Sequence, residues 1–353
     1  MLTPAATTDL DSRLREAADR FDHAVTTARR DAAVQVVEEL LDSGVEAMTV
    51  MTDVIAAAQR HVGARWQRGE WSVAQEHAAT SVSVAALEAV ARKAATGAPH
   101  RGHVVVACAE HEWHAMPASI VAAGLRAEGW EVTLLGASTP TARLSRYLRD
   151  LGPDVTAVSC SVAAGLPTSR AFIEASTSAG IPVLAGGAAF GTDDRRATAL
   201  GATAWAADVR SAVETVASLP MVVHEAAPLP AEITLEQVAL RHAGHALVDA
   251  VAFRWQNRHE ALGPVADEDE ADLLHETVEQ VYHAVVGALI TGDGRLVAET
   301  AAWVESVLAV RGMPSSAVRD LGRSMAAELD DFPLAASMWQ RHWPSAGVGS
   351  CPS

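Results

Sequence analysis

Between residues 100 and 219, short apolar runs alternate with stretches of helical periodicity, and this alternation limits the fold more than any other feature of the chain. The apolar runs lie at residues 104–108, 132–135, 155–160, 183–185 and 202–206. Helical stretches such as 118–128 and 143–151 separate them. Parallel strands need crossover connections, which helices supply in α/β proteins. We therefore predict that residues 99–220 form a Rossmann-like domain with a five-stranded parallel sheet.

The segment before this sheet is predicted to be helical. Apolar residues recur there at helical spacing, as in Leu10, Leu14, Ala18, Phe21 and Val25. Gly44 and Gly69 separate the helical stretches. The pattern predicts a four-helix bundle over residues 1–98.

The segment after the sheet is also predicted to be helical. Pro220, Pro228 and Pro230 indicate a linker over residues 221–232. Beyond it, helical periodicity covers residues 234–259, 268–291, 295–311, 315–329 and 332–344. We predict an all-α domain over residues 233–353, and hence a multidomain protein that combines α and α/β domains.

Charge and hydropathy exclude some classes of partner. The net charge is −17, from 27 basic and 44 acidic residues, which opposes nucleic-acid binding because phosphate neutralisation needs clustered Lys and Arg. No apolar run is long enough to cross a bilayer, and the first residues lack a secretory signal core. We therefore expect a cytoplasmic protein without a membrane or nucleic-acid partner. The three cysteines, Cys108, Cys160 and Cys351, fit a reduced compartment.

A histidine-bearing loop follows the first predicted strand. Glu112, Trp113 and His114 lie between that strand and a predicted helix, where a doubly wound fold binds its ligands. An imidazole in this position can bind a metal through one nitrogen while a carboxylate holds the other. The alternative is a histidine without a ligand at the start of a helix, beside a solvated loop acid.

A second motif lies in the helical N-terminal segment. Trp66 is followed, after nine residues, by the adjacent pair Glu76 and His77. Apolar neighbours such as Val73 and Ala78 predict that this pair is buried and needs polar partners. The alternative is that Trp66 belongs only to the core of the bundle.

Together the two motifs resemble the cobalamin-binding module of light-sensing, adenosylcobalamin-dependent repressors, over roughly residues 8–220. The cap pattern of that family, a Trp, nine residues and Glu-His, is present from Trp66 onward. The loop pattern Asp-x-His-x-x-Gly occurs with Glu112 in place of the aspartate and Pro117 in place of the glycine. The resemblance implies that His114 is the lower axial ligand of cobalt and that the Trp packs over the adenosyl group.

The resemblance implies a larger cobalamin site. Small residues after the strands would admit the nucleotide tail, and ribose hydroxyls would bond to the Glu-His pair. Besides His114 on cobalt, the residues assigned to cobalamin are Trp66, Val73, Glu76, His77, Glu112, Trp113, Gly136, Pro140, Ser159, Ser161, Gly186 and Gly187.

The sequence departs from the family at two further points. In those repressors the cap Trp is followed by a His that captures cobalt on the upper face after photolysis, whereas Gln67 stands here. A photoproduct with two histidines through that position is excluded, which leaves His77 or water as the upper ligand. The family also has a DNA-binding helix-turn-helix before the cap. The segment before Trp66 is too short for both, so DNA repression is not carried over.

The predicted C-terminal helices carry groups that suit an anionic tetrapyrrole. The residues assigned to a bilin are Arg241, His245, Arg254, Tyr282 and His283. Arginines would pair with propionates, and the alternative is a solvated helix face with core histidines. The order of cobalamin module, linker and all-α domain resembles the photocobilins, which implies a globin-like domain that binds biliverdin. Because the nearest cysteine is Cys351, binding would be non-covalent.

The leading hypothesis is therefore a photoreceptor rather than an enzyme, with no catalytic residues. Light would cleave the cobalt–carbon bond of adenosylcobalamin, and biliverdin would extend the response to red light. The output protein is unidentified, and a homo-oligomer is left open. The alternatives are a corrinoid carrier for methyl transfer and a regulator that senses cobalamin or haem and acts through a protein partner.

Overall fold

The computed structural model describes residues 4–94, 101–259 and 268–344. In chain order these residues form an N-terminal helical bundle, a parallel sheet flanked by helices, and a C-terminal group of helices. Within these ranges, no helix combines the length and the apolar character that crossing a membrane requires.

The N-terminal region is helical, as predicted. Its helices are α1 (Pro4–Thr26), α2 (Arg30–Asp42), α3 (Ala47–Thr49), α4 (Ala56–Gln67) and α5 (Val73–Ala94). A π-helical turn, Val50–Ile55, joins α3 to α4, so the backbone is helical from residue 47 to residue 67. Phe21, Val37 and Met51 are fully buried, because helical spacing turns the apolar side chains to one face.

The central region contains the predicted five-stranded parallel sheet. Its strands are β1 (His103–Cys108), β2 (Glu131–Gly136), β3 (Val155–Ser159), β4 (Val183–Gly186) and β5 (Ala204–Ala206), in the order β2-β1-β3-β4-β5. The helices between and after the strands are α6 (Ala115–Ala127), α7 (Leu144–Leu151), α8 (Leu166–Thr177), α9 (Arg195–Ala199) and α10 (Val209–Val216). The strand order reverses between β1 and β3, as in doubly wound folds.

Both faces of the sheet are buried, each in a different core. Successive residues of a strand point to opposite faces. Val104 and Val106 belong to the core that β1 shares with the bundle, α6 and α10. Val105 and Ala107 belong to the core that it shares with α7, α8 and the C-terminal helices. The sheet is therefore enclosed between the bundle side and the C-terminal side.

The C-terminal region is all-α within the described residues, as predicted. Its helices are α11 (Ala231–His259), α12 (Glu268–Thr291), α13 (Arg295–Val310), α14 (Ser316–Glu328) and α15 (Pro333–His342). Trp255 is fully buried among them, and its indole Nε1 donates to the carbonyl of Ala317 at 3.0 Å. The globin-like arrangement of these helices stays a prediction.

The segment expected to be a linker is held against the sheet domain. Residues 220–230 are irregular, and α11 begins at Ala231. The guanidinium of Arg170 donates to the carbonyl of Ala227 at 2.6 Å, and the amide of Ala226 donates to Thr177 Oγ1 at 3.1 Å. These bonds fix the exit of the chain from the sheet domain, so the segment is not a loose spacer.

A buried ion-pair network joins the sheet domain to the C-terminal helices. Arg196 is 1% exposed; its Nε lies 2.9 Å from Asp293 Oδ2 and its Nη2 lies 2.7 Å from Glu299 Oε2. Its Nη1 donates to the carbonyl of Ala189 at 3.1 Å. Burial acts to raise the pKa of Asp293, but hydrogen bonds from Arg295 and Arg196 lower it below its usual range. The interface therefore contains a charge pair whose partners cannot be removed singly without a large penalty.

We expect Arg196→Met to lower the free energy of unfolding by about 3 kcal/mol, because Asp293 would lose a buried partner. Urea unfolding of the full chain measures this change. The matched control is Arg20→Met, which removes an exposed pair with Glu39 and is expected to leave the free energy of unfolding nearly unchanged. Equal losses in the two variants would show that the buried network is no stronger than a surface pair.

Candidate functional site

A cavity of about 940 Å³ lies between the bundle and the sheet. Helices α4 and α5 line its upper side, and the segments that follow β1, β3 and β4 line its lower side. This is the carboxyl edge of the sheet beside the reversal of strand order, where doubly wound folds bind ligands. The volume is near the upper end of the roughly 300–1,000 Å³ usual for small-molecule sites, which suits a large ligand.

The upper wall contains the cap motif. Trp66 lies in the last turn of α4, and Val73, Glu76 and His77 occupy the first turns of α5. The side chain of His77 is 71% exposed and that of Glu76 is 28% exposed, so the expectation of a buried pair is wrong. Neighbouring Val73 and Ala78 are exposed as well, and Val73 lines the cavity together with Glu76 and His77.

A chain of hydrogen bonds orients Glu76. The hydroxyl of Ser83 donates to Gln59 Oε1 at 3.1 Å, and Gln59 Nε2 donates to Thr80 Oγ1 at 2.9 Å. The hydroxyl of Thr80 then donates to Glu76 Oε1 at 2.7 Å. Each hydrogen bond in this chain is donated in the direction of Glu76, and the chain ends on Oε1. Glu76 Oε2 therefore keeps acceptor capacity for a ligand hydroxyl.

The ring of His77 has a defined tautomer. Its Nδ1 lies 2.8 Å from the carbonyl oxygen of Val73, which can only accept, so Nδ1 carries the hydrogen. In the neutral ring Nε2 therefore has a free lone pair.

The lower wall carries His114, which caps the N-terminus of α6. Its Nδ1 lies 2.6 Å from Glu112 Oε1, and its backbone amide donates to the same oxygen at 2.8 Å. The carboxylate therefore fixes the hydrogen on Nδ1 and leaves Nε2 as the nitrogen available to a metal. The hydrogen bond to Glu112 raises the pKa of His114, against the opposing effect of burial.

Glu112 is the buried support of this wall. It is fully buried, and its Oε2 accepts from the amides of Ser161 at 2.5 Å and Val162 at 3.2 Å. Burial acts to raise the pKa of Glu112, but the bonds from His114 and Ser161 outweigh it and lower the pKa below its usual value. The carboxyl group is thus ionised at neutral pH and joins the segments after β1 and β3.

The floor of the cavity is made of small residues, as the sequence suggested. Ser159, Ser161, Gly186 and Gly187 all line it. Gly187 has a φ of +104°, and a Cβ added there would lie 2.3 Å from the carbonyl oxygen of Cys160. Only glycine fits this position without moving the backbone.

Two residues assigned to the cofactor lie elsewhere. Gly136 ends β2, Pro140 is exposed in the loop that follows, and neither lines the cavity. Their loop supports the histidine loop instead, because the amide of Ser138 donates to the carbonyl of Glu112 at 2.9 Å. Trp113 does line the cavity and is 73% exposed.

The sequence reasoning missed several polar residues of the cavity. Arg60 lines it from α4 and Arg210 from α10. Arg210 Nη2 donates to Thr49 Oγ1 at 3.1 Å and so connects the sheet domain to the bundle. Gln59 and Thr80 were detectable in principle, since polar side chains on the inner face of an apolar helix indicate a site or a buried bond.

None of the five residues assigned to a bilin lines the cavity. Tyr282 is buried and its hydroxyl donates to the carbonyl of Leu240 at 3.0 Å, and Arg254 pairs with Glu328. Arg241 and His245 are exposed on α11, and His283 packs its ring edge against Tyr282. Biliverdin binding stays a prediction that these positions do not favour.

The cavity walls fit a cobalamin. Among the described residues, no group of three or more His, Cys, Asp or Glu side chains is arranged to hold a bare metal ion. A metal that arrives inside a macrocycle needs only an axial donor, and His114 offers one nitrogen. Exposed apolar groups on both walls, with Trp113 at 73% and Val73 at 55%, are surfaces that a large ligand would cover.

Comparison with known families leads to the same ligand class. Residues 102–217 match a family model described as a B12 binding domain, and residues 17–91 match a second model with the same description. The two ranges contain all the residues that line the cavity. The bundle and the sheet domain therefore form a B12-binding module.

Two known proteins are similar to parts of this chain. The HTH-type transcriptional repressor CarH of Myxococcus xanthus is 33% identical over 157 residues, which are 44% of this chain and 52% of that protein. The chain thus spans about half the length of this curated relative. The monomethylamine corrinoid protein of Methanosarcina barkeri superposes with a TM-score of 0.52 at 17% identity, over 58% of this chain and 98% of that one. This second likeness shows the fold alone.

We expect Gly187→Ala to cost about 3 kcal/mol or more of stability, since the new Cβ meets the backbone of Cys160. Gly136→Ala is the matched control, because Gly136 also has a positive φ, +84°, but has no atom within 4 Å of an added Cβ. That control should lose only about 1–2 kcal/mol, the cost of the left-handed conformation. Thermal unfolding measures both, and similar losses would mean that the floor yields to the extra methyl group.

Proposed function

We propose that the protein is a light sensor that holds adenosylcobalamin between the bundle and the sheet domain, with His114 as the lower axial ligand of cobalt. The observation that carries the proposal is the pairing of two walls across one cavity. The Trp66, Glu76 and His77 wall faces the His114 wall, and the buried Glu112 fixes the imidazole of His114. The likeness of part of the chain to a transcriptional repressor supports a regulatory role.

The lower wall binds the cofactor and orients the imidazole of His114. The Nδ1–H of His114 is committed to Glu112, so Nε2 stays unprotonated for coordination in the neutral ring. Gly186 and Gly187 let the backbone approach a nucleotide tail closely. Bound adenosylcobalamin would supply a cobalt–carbon bond that visible light breaks.

The upper wall recognises the adenosyl group. Trp66 and Val73 offer apolar surface, and the chain through Gln59 and Thr80 directs Glu76 to accept from a ribose hydroxyl. Gln67 provides no imidazole above the cofactor. His77, with Nε2 unprotonated, is the nearest replacement on this wall.

The upper wall also contacts the C-terminal helices, which gives the sensor a route to its output. Gln67, the residue after Trp66, donates from Nε2 to Ser306 Oγ of α13 at 2.8 Å. At its other end α13 carries Glu299, which pairs with Arg196 of the sheet domain. Helix α13 therefore contacts both the end of the cap helix α4 and the sheet domain, so a shift of the cap would change its contacts. Packed interfaces of this kind switch between discrete arrangements.

The corrinoid carrier is the competing function. Its support is the fold shared with the monomethylamine corrinoid protein. A carrier needs a cap for a methyl group, and an adenosyl-binding wall would bring it no advantage. The two functions therefore differ in which upper ligand the Trp66 wall recognises.

We expect Trp66→Ala to weaken adenosylcobalamin about tenfold or more, and to leave hydroxocobalamin and methylcobalamin nearly unchanged, because only the adenosyl group reaches that wall. Equilibrium titrations followed by absorbance measure the three affinities. His114→Ala is the companion variant and should weaken all three forms, since it acts on the lower face.

Two outcomes would contradict the light-sensor proposal. Equal loss of all three forms in Trp66→Ala would mean that Trp66 only stabilises the bundle. Preference for methylcobalamin in the unaltered protein, with no spectral change of the adenosyl complex under light, would favour the corrinoid carrier.

The route to the output predicts a second result. In the adenosylcobalamin complex, illumination should change amide hydrogen exchange over residues 303–310, and Gln67→Ala should remove most of that change because the bond to Ser306 is lost. Gln75→Ala is the matched control, since the side-chain oxygen of Gln75 accepts from the amide and the hydroxyl of Ser72 on the same turn. Light-induced exchange that is the same in both variants would exclude this route.

A further inference from the structure

Helix α11 exposes a regular stripe that no described part of the chain covers. The stripe consists of Leu235, Ala239, His242, Ala246, Asp249 and Phe253, all exposed and separated alternately by four and three residues. This is the spacing that aligns one seam along a helix that pairs with another helix. We call these six residues the α11 stripe.

The two ends of the α11 stripe are strongly apolar. Leu235 is 71% exposed and Phe253 is 66% exposed, although the opposite face of α11 already buries Leu240, Leu247 and Val251 in the core. An ordinary surface helix would place polar residues on its outer face. Large apolar side chains at seam positions instead indicate a surface that binds another helix.

We propose that the α11 stripe is the interface of a homodimer, in which α11 packs antiparallel against α11 of a second copy, with the two-fold axis at the level of Gly244. In this register Leu235 packs on Phe253 of the partner subunit, and the reciprocal contact repeats at the other end. The small Ala239 and Ala246 let the helices approach closely in between.

The polar members of the stripe favour the antiparallel orientation. His242 comes within one turn of Asp249 of the partner subunit, and the symmetry makes this pair twice. A parallel dimer would place Asp249 against Asp249 of the partner subunit. Asp249 is exposed, so like charges would face each other. Antiparallel packing also brings the positive N-terminal end of each helix beside the negative C-terminal end of the other.

Sedimentation of the full chain with cobalamin in the dark tests the interface. The unaltered protein is expected to be a dimer. Leu235→Glu and Phe253→Glu should each weaken the dimer roughly tenfold or more, because each buries a charge at both ends of a two-fold interface. Met221→Glu is the control, as Met221 is 87% exposed and lies outside the stripe. A monomeric unaltered protein, or a dimer that survives both stripe variants as it survives the control, overturns the proposal.

Disulfide trapping tests the orientation. In a Cys351→Ser background, Cys108 and Cys160 are buried and do not compete. The single variants Leu235→Cys and Phe253→Cys should not cross-link alone, whereas a mixture of the two should form one covalent heterodimer on oxidation. Within one helix the two positions are about 27 Å apart, so the bond must join two chains. Cross-linking of Leu235→Cys with itself would mean a parallel dimer and would refute the register.

Discussion

The buried carboxylate of Glu112 is the group on which the candidate site depends. It has no exposed surface and accepts hydrogen bonds from the imidazole and amide of His114 and from the amides of Ser161 and Val162. An ionised group at this depth is tolerated only because these donors replace water. The orientation of the His114 imidazole and the spacing between the ends of β1 and β3 therefore have one common cause.

The C-terminal helices contact residues that support the candidate site at three places. Gly287 of α12 packs against Leu166, shortly after the segment that Glu112 holds. Arg196 joins α13 to the backbone of Ala189, two residues beyond the glycine floor. Gln67 joins the same helix to the cap. The module and the C-terminal helices thus share supports on both sides of the cavity.

Sequence patterns predicted those features that interactions between nearby residues determine. Strand alternation identified the sheet, and the two-residue spacing of Glu112 and His114 identified the dyad. The bond between Gln67 and Ser306 joins residues 239 positions apart, and no periodicity encodes such a pair. The exposure of His77 was missed for a related reason, because apolar neighbours on a helix also occur on a wall that faces a ligand cavity. Sequence therefore predicted the parts of the site better than its surroundings.

The sheet domain and the C-terminal helices are separate regions of the sequence, but they share one apolar core. One apolar core runs without interruption from the Val105 face of the sheet through Phe172 of α8 to Val285 of α12 and on to Trp255. Arg170 ties the connecting segment across that core at Ala227. A fragment ending near residue 225 would expose half of a packed interior to water, at a hydrophobic cost proportional to the uncovered area. The B12-binding module is the part of the chain that known families share, whereas the part that must pack together to bury this core is larger.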